Sequence, residues 1–123
     1  MSLHNQTAGK VGEEKATQFL TRKGYHLLTR NFRARNGEID LIFLTPNKKE
    51  VVFVEVKTRL TTEFGDPLEA ITYFKMRALM RTALLYKTMH KNLPEALRID
   101  AISIILDMNL EINSLDHKMS ITS

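Results

Sequence analysis

Two acidic segments separated by one turn, Gly37-Glu38-Ile39-Asp40-Leu41-Ile42 and Val52-Phe53-Val54-Glu55-Val56-Lys57, constrain this chain more than any other feature. Both are rich in β-branched and aromatic residues, and Pro46-Asn47-Lys48-Lys49 between them has turn chemistry, so the spacing predicts a β-hairpin of Glu38–Thr45 with Glu50–Lys57. Setting Thr45 opposite Glu50 sets Asp40 opposite Glu55 and Glu38 opposite Lys57. Directly opposed side chains have Cβ atoms about 4.5–5.5 Å apart, where like charges destabilise a sheet. Two carboxylates so placed need a counterion. Lys57 supplies part of it, and a hard divalent cation such as Mg²⁺ or Mn²⁺, which favours carboxylate oxygens, suits the remainder.

The pattern along the rest of the chain frames that hairpin. An amphipathic helix is expected from about Gln6 to Lys23, with Gly9, Gly12, Ala16, Phe19 and Leu20 on one side. Glu13 falls at the border of the buried arc and Glu14 well outside it. Glycines inside a helix cost up to about 1 kcal/mol each relative to alanine, so Gly9 and Gly12 suggest close approach of another element or a late helix start. Tyr25 to Arg33 reads as an outer strand. Large apolar residues on both faces of the hairpin strands call for cover on both sides. Leu60 to Leu68 reads as a loop, Ile71 to Lys91 as a long helix and Leu97 to Leu106 as an apolar strand. Leu110 to Leu115 is a short edge strand. The ends, residues 1–5 and 116–123, are expected to be flexible. In the long helix Ile71, Ala78, Leu79, Leu85, Tyr86 and Met89 form the apolar arc, opposite Arg77, Arg81, Lys87 and Lys91. Lys75 projects from that arc. These elements predict an α/β domain with a mixed central sheet.

At 123 residues the chain fits one domain. It contains no cysteine, which excludes a disulfide framework and thiolate zinc, and its four histidines lack ligand spacing. No apolar run reaches membrane-spanning length, and the first residues lack a secretory pattern, so a cytoplasmic protein without membrane contact is expected. A net charge of +4 favours a polyanionic partner.

Strand alternation expects Glu38 and Asp40 to share one face with Phe53, Glu55 and Lys57. Asp40 and Glu55 would hold a cation, and Lys57 would orient an attacking water in phosphodiester hydrolysis. Glu38 reads equally well as a partner of Lys57 or as a polar strand start. Lys75 reads equally well as a group reaching toward the acids or as a snorkelling core-edge amine. Arg30, Arg33, Arg35 and Arg59 are candidates to grip phosphates. Tyr73 and Phe64 could stack on bases, but ordinary packing is the expected role of each.

Gly12-Glu13 with Ala16, Arg30-Asn31, Gly37-Glu38-Ile39-Asp40-Leu41-Ile42, Phe53-Val54-Glu55-Val56-Lys57-Thr58-Arg59, Phe64-Gly65 with Pro67 and Ala70, and Lys75 together resemble the small bacterial YraN family. That family is related by prediction to archaeal Holliday junction resolvases and the PD-(D/E)xK endonucleases. The resemblance implies a three-layer α/β/α restriction-endonuclease-like fold. It also implies metal and catalytic positions at Asp40, Glu55 and Lys57, with a further acid from the first helix at Glu13. Where the family carries Arg-Phe-Asp in its late strand, this chain has Arg98-Ile99-Asp100, a change expected in the core. The implied activity is a Mg²⁺- or Mn²⁺-dependent endonuclease on DNA, including branched or structured DNA. A domain this small covers little duplex, so a homodimer is expected if the substrate is a junction with two equivalent cuts, with the 60–68 loop as one candidate contact. A non-cleaving nucleic-acid-binding or partner-recruitment module, and a nuclease acting on RNA, remain open alternatives.

Overall fold

The hairpin forms with the expected register. The computed structural model describes residues 3–35, 37–61 and 71–122, with the side chains of 3–6 left aside. Strands β2 (Gly37–Leu44) and β3 (Val51–Leu60) pair antiparallel, Leu41 with Val54 through Leu44 with Val51. The turn fixes this register locally. Lys48 N–H donates to the Thr45 carbonyl at 2.8 Å, and the Asn47 carboxamide oxygen accepts from Thr45 Oγ1 and Lys49 N–H. Lys48 takes the left-handed conformation, φ 62°, that closes the loop.

Around the hairpin lies one sheet in the order β1-β2-β3-β4-β5, with β1 His26–Ala34, β4 Leu97–Leu106 and β5 Ile112–Lys118. Among the described strands β3 and β4 run parallel and the other neighbours antiparallel; the crossover between β3 and β4 carries helix α2, Tyr73–Met89. Helix α1 spans Leu3–Arg22. Among the described residues the result is a mixed five-stranded sheet with two helices, an α/β fold. The reading of Leu60 to Leu68 falls almost wholly outside the described residues, as does Phe64.

The two faces of β3 serve different cores. Val52, Val54 and Val56 pack with Ala16 and Leu20 of α1, whereas Val51 and Phe53 pack with Leu79, Ala83 and Tyr86 of α2. Ile99, between Arg98 and Asp100, belongs to the α2-side core and is 1% exposed.

Three expectations change. Helix α1 starts at Leu3 rather than late, and only Gly12 answers to close approach: a Cβ there would collide with Thr58 of β3, while Gly9 has nothing nearby. The buried stripe of α2 is Leu79, Thr82, Ala83 and Tyr86, so Leu85 and Met89 of the expected arc face outward. Thr82 sits inside because Gly37 leaves it room and its hydroxyl donates to the Ala78 carbonyl, which satisfies the polar atom. Finally, β5 continues through Asp116 and His117 to Lys118, because Asp100 of β4 binds His117 Nε2 at 2.8 Å and Ser120 N–H at 2.9 Å.

Candidate active site

Where the β2–β3 ladder ends, the acids begin. Thr45 N–H bonds the Glu50 carbonyl, so in this antiparallel register Ile39 and Val56 would be a later hydrogen-bonded pair. That pair does not form, and the Val56 N–H is taken instead by Asp40 Oδ2 at 2.8 Å. The side chain replaces a backbone acceptor, the strands part, and β3 runs on from Glu55 to Leu60 paired with β4 alone.

A kink in the neighbouring ribbon turns Asp40 this way. β1 pairs Arg30 with Leu41 and Phe32 with Ile39, leaving Asn31 across from Asp40 with a left-handed φ of 51°. Alternation fails there: Leu41 packs on the α1 side, yet Ile39 and Ile42 both pack on the α2 side. The simple alternation expected to align Glu38 with Asp40 is therefore interrupted at Asp40 itself. Nor does Glu38 face Lys57. It lies opposite Arg33 in the β1–β2 ladder and pairs with it, Oε2 to Nε 3.4 Å.

Lys57 instead turns to Glu55, whose Oε1 lies 3.3 Å from Lys57 Nζ and 3.5 Å from Lys75 Nζ. Glu55 is 4% exposed. Two ammonium groups thus converge on one oxygen of a buried carboxylate. Lys75 reaches it because positions 75, 79, 82 and 86 form a single stripe of α2, with the lysine at its end nearest the site. A cavity of about 150 Å³ beside them is lined by Gly37, Glu38, Lys75, Ala78 and Leu79.

Gly12 brings α1 against Thr58, and the next residue, Glu13, is half-buried toward the same acids while Glu14 is exposed. Glu14 pairs with Arg30 at 3.2 Å. Burial raises the Glu13 carboxyl above its ordinary value, helped by the charges of Glu38 and Glu55 and opposed by a hydrogen bond from Asn31 and by Arg30. Burial is also the chief cause at Asp40. With the charge of Glu55 added, and against the Val56 N–H, it lifts that carboxyl to about 7. Sequence reasoning gave Asn31 no role of its own; its place opposite Asp40 was the available signal.

The site fits a hard cation by the chemistry of its donors. Near neutral pH, Asp40 loses its proton only at the cost of a second negative charge beside Glu55, a cost that a cation removes. Among the described residues no three His, Asp or Glu side chains converge closely enough to hold an ion, so Glu13, Asp40 and Glu55 are not a preassembled triad. Mg²⁺ needs only one or two carboxylates together with waters and substrate phosphate oxygens.

Arg33 and Arg35 are exposed at the β1 end, Arg30 is tied to Glu14, and Arg59 follows Lys57 on β3. Tyr73 departs from the packing expected of it: it is 69% exposed at the start of α2, and Phe74, absent from the sequence reading, is 80% exposed. A larger cleft of about 480 Å³ lies at the turn end of the sheet beside Tyr25, Lys49, Glu50 and Arg98. Its guanidinium is already engaged by Asp100, Glu50 and Tyr25. No described helix is long and apolar enough to cross a membrane.

Residues 12–104 match the model of the uncharacterised protein family UPF0102. A UPF0102 protein of Geobacter metallireducens is 44% identical over 85% of this chain and 84% of its own length. One from Syntrophomonas wolfei is 44% identical over 84% and 88%, and one from Leifsonia xyli 48% identical over 79% and 80%.

Proposed function

The chain belongs to the uncharacterised protein family UPF0102, and from that premise we propose that it is a metal-dependent endonuclease hydrolysing phosphodiester bonds in DNA, including branched or structured DNA. The observation that carries this reading is the buried Glu55 carboxylate, which holds two ammonium groups beside an Asp40 whose proton is retained up to about 7. One helix core on each face of a mixed sheet supports the three-layer restriction-endonuclease-like arrangement that the YraN resemblance implies.

Asp40 and Glu55 would hold Mg²⁺ or Mn²⁺, with Glu13 joining once substrate and solvent complete the shell. The cation would supply Lewis acidity at the phosphoryl oxygens. The protein's own groups do the rest. Lys57 donates to the attacking water and orients it in line with phosphorus, and its charge opposes the negative charge that builds in the transition state. Lys75 shares Glu55 with it, so either amine can turn to the phosphate while the other keeps the carboxylate paired. Arg33, Arg35 and Arg59 hold the backbone, with Arg30 contributing when it leaves Glu14.

Among the described residues the acids stand apart and not as a preassembled three-donor cluster, and this favours a second reading, a nucleic-acid-binding or recruitment module without turnover. Labelled branched, duplex and single-stranded DNA, and RNA of matching sequence, distinguish the two when incubated with Mg²⁺, Mn²⁺ or chelator. We expect metal-dependent cutting by the wild type that falls by about 100-fold or more in Asp40→Ala and in Lys57→Ala. Binding without cutting of any substrate would assign the module instead.

A further inference from the structure

We propose that Tyr73 and Phe74 form a stacking platform for an unpaired nucleobase, presented by the solvent-facing side of the first turn of α2. The inference rests on the nucleic-acid reading above and narrows its substrate to strands with unstacked bases.

Side by side at the start of α2, Phe74 is 80% and Tyr73 69% exposed. Their centroids are 5.7 Å apart with planes at 71°, an edge-on contact, and most of the Phe74 surface remains open to solvent. Among the described residues, their charged neighbours on α2 are cationic. The Arg77 guanidinium lies 5.8 Å from the Tyr73 ring centre, and Arg77 Nη1 donates to the Tyr73 hydroxyl at 3.5 Å. The next residue after Phe74 is Lys75, whose amine rests 3.5 Å from Glu55 Oε1. Lys75 thus turns to the sheet while the two rings stay in solvent one and two positions earlier on the same helix.

The charge pattern selects the occupant. The first turn of α2 contains no acid, and Lys75 and Arg77 lie near a helix end that already carries the positive pole of the helix dipole. Such a surface suits a polyanion with flat apolar groups, which is what a nucleic-acid strand offers. A symmetric contact between two copies would instead set this basic patch against itself. Continuous duplex keeps both faces of every internal base covered, so only unpaired bases can use the rings.

The test compares binding in chelator to three DNA probes: a single strand, a duplex with an unpaired arm, and a perfect duplex, each with 2-aminopurine at a matched position. Wild type is expected to bind the two unpaired probes more tightly and to quench their 2-aminopurine. A Tyr73→Ala, Phe74→Ala double variant should lose about 5- to 150-fold on those probes, the range for one stacked base, with little change on perfect duplex. Tyr73→Phe, which keeps the ring, should stay near wild type, and thermal melting checks that each variant folds. Equal loss on all probes, absence of quenching, or a dimer that the double variant turns into a monomer would overturn the proposal, the last by assigning the patch to a second copy. No readout involves cleavage. A protein that stacks bases but never cuts would sink the endonuclease reading alone, and metal-dependent cutting with unaltered probe preference in the double variant would sink this one alone.

Discussion

Asp40 carries two duties that conflict. Its carboxylate closes the gap left where β2 and β3 part, by accepting the Val56 N–H, yet burial and the nearby Glu55 make its charge unfavourable. Folded-state pKa values above the unfolded one weaken stability as pH rises, because the folded protein binds the proton more tightly than the unfolded chain does. For Asp40 that window runs from its ordinary 3.8 to about 7. Each pKa unit corresponds to about 1.4 kcal/mol, and screening by water at this open ladder end reduces the total to about 2 kcal/mol at pH 8. Asp40→Asn keeps an acceptor for Val56 and discards the charge. In chelator it should raise the melting temperature by several degrees at pH 8 and hardly at all at pH 4, and, if the proposed cation sits at Asp40, millimolar Mg²⁺ should stabilise the wild type and not the variant. Destabilisation by Asp40→Asn at pH 8 would show that the carboxylate is a structural ion pair and not a strained binding group.

At the level of elements, α1 is positioned by an absent side chain. Gly12 permits the helix to rest on Thr58, and that approach carries Glu13 to the acids. Gly12→Ala gains helix propensity of up to about 1 kcal/mol but forces its Cβ into Thr58, and overpacking of this kind costs about 1–3 kcal/mol. Gly9→Ala meets nothing within 4 Å, so the propensity gain stands alone. Chemical denaturation should therefore show opposite signs: Gly9→Ala more stable, Gly12→Ala less stable. The same contrast explains what could be read from the sequence. Hairpin register, the Leu97–Leu106 strand and the division between Glu13 and Glu14 were legible because local turn chemistry and periodicity determine them. Two similar glycines three residues apart were not separable, since only β3 decides which one is crowded. The break in alternation at Asp40 was hidden for a related reason: it depends on the left-handed Asn31 in another strand. The face of α2 was misjudged toward Leu85 and Met89 because hydrophobicity alone ranks them above Thr82, which only the space over Gly37 admits.

Across the whole molecule, a second carboxylate opposes the first. Asp100 is fully buried in β4, where it accepts from Arg98 Nε at 3.0 Å, from Ser120 N–H and through the His117 contact, so one ionised group adds to the backbone ladder that pairs β4 with β5. Burial would raise its carboxyl, but the bonds from His117, Arg98 and Ser120 outweigh burial and hold it below the ordinary value. A depressed pKa contributes stability that is present above the unfolded value and is lost as pH falls through the folded one. Asp100 therefore erodes stability on the acid side of its ordinary 3.8, whereas Asp40 erodes it between 3.8 and about 7. Melting temperatures in chelator should accordingly peak in mildly acid solution and decline toward pH 8, and Mg²⁺ should lift the alkaline limb alone. Asp100→Ala should cost about 3–5 kcal/mol at neutral pH, because Arg98 is left as a buried charge without its main partner. It should also flatten the acid limb without touching the alkaline one. A chelator profile that climbs steadily to pH 8 would mean that Asp40 is not strained in the folded protein, and the case for a cation at that position would lose its electrostatic basis.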